Sequence, residues 1–433
     1  MLDGLRNAAR KVGDDRALRS LMTDCRRLLS ERGEANSVAI ARDLISRFTA
    51  LPEPQQGSFF ERLSRDFSPD PQAVLHSALA YADQPNAGNL IRLTRLAEPP
   101  RQELLRRINR SPGGTASIVA MRRALLARVA KQPELEALEA DFLHLLSSWF
   151  NPGFLQLRRV DWNSPAQLLE QLIRHEAVHA IDGWDDLRRR LQPDRRCFAF
   201  FHPQLPDEPL IFVEVALLHD MPAAIAPLID KTSVAQPAGQ FKVAAFYSIS
   251  NCQPGLKGVS LGNFLIKRVA EELKRELPQI KSFCTLSPIP GFARWLRSNT
   301  PLEGLAKPRA ERFAQARQTL LAACDGDLDR LTQSTALRAL SNDATQALTR
   351  LCAGYLGLHS AAASGDPVAR FHLDNGARLE RLNPLGDLSA KGLKQSFGLM
   401  VNYLYDLQKV ETHHEKFVLG EVAHSRSLAS LLA

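Results

Sequence analysis

Apolar residues recur every three to four positions through the first third of the chain, the spacing that gives a helix one buried face. From Ser37 to Phe48, Ile40, Leu44 and Phe48 fall on one such face. Asp70-Pro71 predicts the start of another helix, because Asp accepts from the first unpaired amides and Pro is already set for the first turn. The segment from Thr115 to Trp149 reads as the longest helical piece, with Leu125, Val129, Leu135 and Leu138 among its apolar positions. Gly113-Gly114 separates it from the Arg-rich segment before it. Residues 1–148 are expected to form an all-α domain without nucleophile sets or metal clusters, whose role is packing, including packing against other subunits.

The pattern changes at Asn151-Pro152-Gly153. Arg195-Arg-Cys-Phe-Ala-Phe-Phe-His202 and Leu210-Ile-Phe-Val-Glu-Val-Ala-Leu-Leu218 are β-rich runs around a Pro-rich turn, which predicts a hairpin. Val243 to Ser250 predicts a further strand, followed by a Gly-rich turn, a helix, and a strand from Ile280 to Leu286. Beyond Pro288 the chain turns helical again, with a final hairpin-like stretch expected from Phe371 to Leu382. Residues 149–433 are expected to form the second domain, so the fold class is α+β.

Composition narrows this picture only slightly. At 433 residues the chain exceeds a single core, and its 45% apolar and 24% charged residues are ordinary for a globular protein. It contains no run of about 18 uncharged apolar residues, so no membrane span is predicted. The first residues lack an apolar signal core, Asp14 and Asp15 interrupt any basic presequence, and the C-terminus lacks Ser-Lys-Leu; a cytoplasmic location is the default expectation. The formal charge of +8 suits a polyanionic ligand. No basic arm or interleaving of aromatic and basic residues points to nucleic acid. The six cysteines are dispersed without CxxC pairing and read as reduced, buried thiols; Cys252 and Cys284 have no visible activating base beside them.

The chemically most suggestive segment is Gln253-Pro-Gly-Leu-Lys-Gly-Val-Ser-Leu-Gly-Asn-Phe-Leu-Ile. Gly255, Gly258 and Gly262 permit a tight turn and let a phosphate approach backbone amides. Leu265, Val269, Leu273 and Leu277 follow at four-residue spacing, and Pro278 ends the helix they predict. Strand, glycine turn and helix N-terminus in that order make an anion site, although a ligand-free connection would share the pattern. The segment lacks the Gly-Lys-Ser/Thr of a P-loop and the dinucleotide fingerprint. Gln253-Pro-Gly-Leu-Lys-Gly258 instead approximates the pyrophosphate turn of acyl-CoA-dependent N-acetyltransferases, one glycine early.

With Phe246-Tyr-Ser-Ile-Ser, Leu286-Ser-Pro-Ile-Pro-Gly-Phe292, Asp366-Pro-Val-Ala-Arg-Phe-His-Leu-Asp-Asn-Gly376 and Gly398-Leu-Met-Val-Asn-Tyr-Leu-Tyr405, the chain resembles the malonyl-CoA decarboxylases. The likeness is strong over about residues 150–410. It implies a helical domain followed by a GNAT-like (acetyltransferase-type) α/β catalytic domain, no metal or organic cofactor, and an oligomer, often a tetramer. It also implies catalytic roles for Ser287 and His372 and a substrate loop of Lys257, Gly258, Val259, Ser260, Leu261, Gly262 and Asn263. Ser260 is a departure, because some members carry an acidic residue there. The chemistry agrees in kind: losing CO₂ from a malonyl thioester leaves an enolate to be stabilised and then protonated on carbon. Ser287 at a strand end could bind the carboxylate, and His372 has an ordinary pKa suited to donating near neutrality. Taken alone, the two residues read more readily as a turn serine before proline and a core histidine between Phe371 and Leu373; the resemblance reverses both readings.

A second motif competes. His175-Glu-Ala-Val-His179 matches HExxH, which on a helix would put both histidines on one face as zinc ligands with Glu176 as base. A zinc protease is therefore an alternative, as are an acyl-CoA-dependent acyltransferase and a non-enzymatic acyl-CoA sensor. Asp325-Gly-Asp-Leu-Asp329 is too short for a calcium loop.

Overall fold

The computed structural model describes residues 2–433 apart from 260, 262–264, 303, 304 and 363. It forms two compact units, one comprising Met1–Leu155, His202–Pro206 and Gln253–Leu261, the other Gln156–Phe201, Asp207–Cys252 and Gly262–Ala433.

The first unit is helical. In the helix Glu34–Ala50 the face read from the sequence is buried through Ile40, Ala41, Leu44 and Phe48. Phe48 meets Phe59 and Phe60 of the helix Glu53–Asp66 at ring separations of 5.1 and 5.6 Å. Asp70 caps Pro71–Asp83 as its sequence predicts, accepting from the amides of Gln72 and Ala73. The expected single long helix from Thr115 is two, Gly114–Val129 and Glu136–Trp149. Gln132-Pro133 breaks it, because Pro disfavours a helical conformation in the residue before it. Pro71–Asp83 and Ala87–Ala97 pack on each other and leave Leu75, Leu79, Leu90 and Ile91 between 46% and 62% exposed.

The second unit is built on one sheet of eight strands: β1 Gln156–Val160, β2 Arg195–Phe201, β3 Ile211–Leu218, β4 Val243–Asn251, β5 Ser282–Thr285, β6 Ser287–Pro288, β7 Arg378–Asn383 and β8 Met400–Leu404. β2 and β3 form the predicted hairpin and are buried at almost every position, as befits strands covered on both faces. β1 to β4 run antiparallel, and β4 then pairs parallel with β5 after the helix Leu265–Glu276. An antiparallel meander followed by a helical crossover to a parallel strand is the acetyltransferase-type order that the resemblance implies. The crossover helix buries Leu265, Ile266, Val269, Ala270 and Leu273. A bulge at Glu214/Val215 leaves Tyr247 as the extra residue of β4.

The expected hairpin from Phe371 to Leu382 is half helix. Asp366 and Pro367 open the helix Pro367–Asp374, the Asp-Pro signature that also starts a helix at position 70, and only β7 is extended. β7 pairs with β8, which also receives β5 and β6. No described helix is long and apolar enough to cross a membrane.

Candidate active site

Ser287 begins β6, whose pairing with β8 sets Ser287 opposite Val401. His372 lies near the end of the helix Pro367–Asp374, and both side chains are almost fully buried. The fold brings them together: Ser287 Oγ is 3.0 Å from His372 Nε2. The Ser287 hydroxyl donates to Thr285 Oγ1 at 2.8 Å, and His372 Nδ1 lies 2.9 Å from the Tyr405 hydroxyl. With Ser287 donating to Thr285, the hydrogen-bond pattern assigns the imidazole proton to Nε2 and leaves Nδ1 to accept from Tyr405. The Tyr403 ring stacks on the imidazole at 4.6 Å and 28° and fixes its plane.

Burial pushes the pKa of His372 down to about 3. This corrects the expectation of a histidine titrating near neutrality: low-dielectric surroundings disfavour the imidazolium, so the group is neutral at physiological pH. Ser287 and His372 line a cavity of about 300 Å³ with Phe246, Ser248, Val368 and Phe371, and among the described residues no charged side chain lines it.

Beside this cavity lies a carboxylate that the sequence reading placed elsewhere. The helix Ala166–His175 stops before Glu176, whose backbone is extended at φ −62 and ψ 108. His175 and His179 therefore do not share a helical face, and the HExxH reading fails on geometry. Glu176 is buried and accepts from the Ser248 hydroxyl at 2.7 and 2.6 Å, from Ser250 at 3.1 Å, and from the amides of Val178 and His179 at 2.8 Å each. Having spent its acceptors on this segment, the carboxylate holds a cavity serine in place. Arg190 ties down the same stretch by donating to the Ala180 carbonyl at 3.2 Å. Among the described residues no group of three or more His, Cys, Asp or Glu side chains is placed to hold a metal. Burial pushes the Cys252 and Cys284 thiols up to about 12, which removes both as nucleophiles near neutral pH.

The Gly-rich turn has a different local design from the one expected. Gly258 does require glycine, at φ +81. Gly255 is buried by its own unit: a Cβ there would lie 2.1 Å from the Val119 carbonyl oxygen, and its carbonyl accepts from Arg122 Nη1 at 2.8 Å. The amides of Leu256, Lys257 and Val259 close the turn on Gln253, Pro254 and Leu256 rather than standing bare. Lys257 and Gly258 are exposed, Val259 and Leu261 are buried, and Ser260, Gly262 and Asn263 lie outside the described residues.

Of the side chains around the cavity, Thr285, Tyr403, Tyr405 and Ser248 were not singled out by the sequence, and Glu176 was singled out only as the base of a zinc motif that the structure does not form. Tyr403, Tyr405 and Ser248 lie within the motifs that carried the resemblance, but nothing in their spacing says what they touch.

Comparison with known proteins agrees with this architecture. Residues 153–433 match the model of the malonyl-CoA decarboxylase C-terminal domain and residues 67–150 that of the N-terminal domain. The mitochondrial malonyl-CoA decarboxylase of Mus musculus is 34% identical over 430 residues, 94% of this chain and 87% of that one. That of Anser anser anser is 38% identical over 338 residues, 74% of this chain and 66% of that one. The crystal structure of malonyl-CoA decarboxylase from Rhodopseudomonas palustris is 47% identical with a TM-score of 0.85, covering 95% of this chain and 99% of that chain.

Proposed function

The chain belongs to the malonyl-CoA decarboxylase family, and on that premise we propose how its own residues release CO₂ from malonyl-CoA and protonate what remains. The observation that carries the reading is the neutral hydrogen-bonded chain Thr285–Ser287–His372–Tyr405 facing a cavity that no charged side chain lines among the described residues.

A malonyl carboxylate entering this cavity exchanges water for a hydroxyl and apolar walls. Concentrated charge is poorly solvated there, so its dispersal as the carbon–carbon bond breaks is favoured. Ser287 orients the carboxylate so that it leaves as CO₂, and the electron pair passes into the thioester as an enolate. A thioester enolate is basic enough to take a proton on carbon from a neutral donor. His372 supplies it, directly from Nε2 or through the Ser287 hydroxyl, and Tyr405 at Nδ1 compensates the charge that develops on the ring. Solvent restores the proton, which balances one proton consumed per CO₂ released. No step requires a buried imidazolium, in keeping with the depressed pKa.

The purified chain given malonyl-CoA alone, with a chelator and without an amine acceptor, is expected to release CO₂ and acetyl-CoA in equal amounts. Absence of CO₂ until an amine is added would transfer the reading to an acyltransferase. Chelator-sensitive turnover would reinstate the metal alternative.

Lys257, Gly258, Val259, Ser260, Leu261, Gly262 and Asn263 are proposed to bind the coenzyme A part of the substrate, supported by the resemblance and by the exposure of Lys257 and Gly258. The helical unit is proposed to assemble subunits through Pro71–Asp83 and Ala87–Ala97, since four large apolar side chains on one helix pair are more than a free surface ordinarily carries together. Leu79→Glu combined with Ile91→Glu should lower the mass measured by sedimentation, and an unchanged mass would remove this surface from the assembly.

A further inference from the structure

The two segments that carry Ser287 and His372 are 85 residues apart in sequence, and their hydrogen bond is 3.0 Å long. Something must hold that separation. β6 fixes Ser287 against β8, but the chain leaves the sheet after Pro288. The helix carrying His372 belongs to no strand. One side chain spans both segments, Asp366, which has no exposed surface.

Its Oδ1 accepts from the amides of Val368 and Ala369 at 3.0 and 3.1 Å, the N-cap of the His372 helix. Its Oδ2 accepts from the amide of Gly291 at 2.9 Å, four residues beyond Ser287. The connection from Ser287 to Gly291 is stiff, because Pro288 and Pro290 fix φ and Ile289 is fully buried. Position 291 must be glycine for this approach: a Cβ would lie 2.1 Å from Tyr355 Oη and 3.2 Å from Asp366 Oδ2. A cap alone needs one oxygen. Here the second oxygen is committed to the other segment.

We infer that Asp366 is a positioning residue, which sets the distance between Ser287 and His372 by bonding the Pro-rich loop after Ser287 to the first turn of the His372 helix. This rests on the Ser287–His372 reading above. It predicts that the bridge, and not the cap, matters for turnover.

Asp366→Ser separates the two, because serine caps a helix well but its single oxygen cannot also reach Gly291. The expected result is a folded variant whose kcat falls about tenfold to a hundredfold with KM within about twofold, the signature of a misplaced reacting group rather than of lost binding. In a Ser287→Ala background the same substitution should change kcat less than about twofold, since no pair is left to position. A kcat near wild type in Asp366→Ser, or an equal loss in both backgrounds, overturns the inference and leaves Asp366 as a cap. Should Asp366→Ser not fold, Asp366→Asn, which keeps the volume but offers only one acceptor oxygen, decides by the same measurements. Full turnover in Ser287→Ala alone would instead bring down the reading on which the inference rests, so the two failures are distinguishable.

Discussion

Ser287→Ala is expected to lower the kcat for malonyl-CoA at least about a hundredfold, and His372→Ala by a similar factor, the range typical of lost acid–base catalysis. Neither substitution should move KM much, because the pair acts on the reacting end of the substrate while most of the binding surface of an acyl-CoA lies elsewhere. The double variant should be little worse than either single one, as for residues that act as a unit. A near-wild-type rate in either variant removes that residue from the mechanism. The depressed pKa adds a sign that can be checked. His372 is neutral at every pH well above about 3, so it contributes no step to the kcat profile near pH 6.5, where an exposed histidine would titrate. A step there that disappears in His372→Ala would mean that the group titrates during turnover.

Gly255→Ala is expected to cost stability on the order of 2–4 kcal/mol, a large effect for adding one methyl group. The added carbon would lie 2.1 Å from the Val119 carbonyl oxygen and 2.9 Å from its carbonyl carbon, and backbone in the middle of the helix Gly114–Val129 cannot step aside. Shifting the turn instead would break the bond from Arg122 Nη1 to the Gly255 carbonyl. Arg122 is 1% exposed, and although its Nη2 would keep the bond to Glu139 at 2.6 Å, the displaced turn would leave its buried Nη1 without an acceptor. Urea unfolding of both proteins measures the difference, and an unchanged midpoint would show that the turn relaxes freely. If this turn holds coenzyme A as proposed, KM should rise in the same variant.

The sequence was most informative where local chemistry decides the structure. Helical spacing placed Ile40, Leu44 and Phe48 in the core, and Asp70-Pro71 opened a helix because capping involves neighbours only. The same pair at 366 begins a helix too, although the stretch from Phe371 to Leu382 was expected to be hairpin-like. Local signals failed where a distant partner decides. Glu176 sits in a helical-looking motif, yet its carboxylate is drawn to Ser248 and Ser250, more than 70 residues away, and the helix ends before it. The contact between Ser287 and His372 was implied by resemblance alone, since no periodicity joins residues that far apart. The neutrality of His372 follows from burial, which is set by the packing of distant segments rather than by its neighbours Phe371 and Leu373. Gly255 was legible as a turn glycine, but the helix that demands it lies 133 residues upstream of it in the Arg122 bond.

The helical unit does not end where its long run of helices ends. It also contains residues His202–Pro206 and Gln253–Leu261, two short returns of a chain that otherwise builds the sheet. During synthesis the ribosome delivers residues in order, and a domain made of one continuous stretch can finish folding before the next emerges. This one must wait: the buried side of Arg122 has no carbonyl to meet until residue 255 has left the exit tunnel, by which time β1 to β4 have already been made. A fragment truncated at residue 155 would carry every long helix of the unit and still lack the piece that closes over Val119.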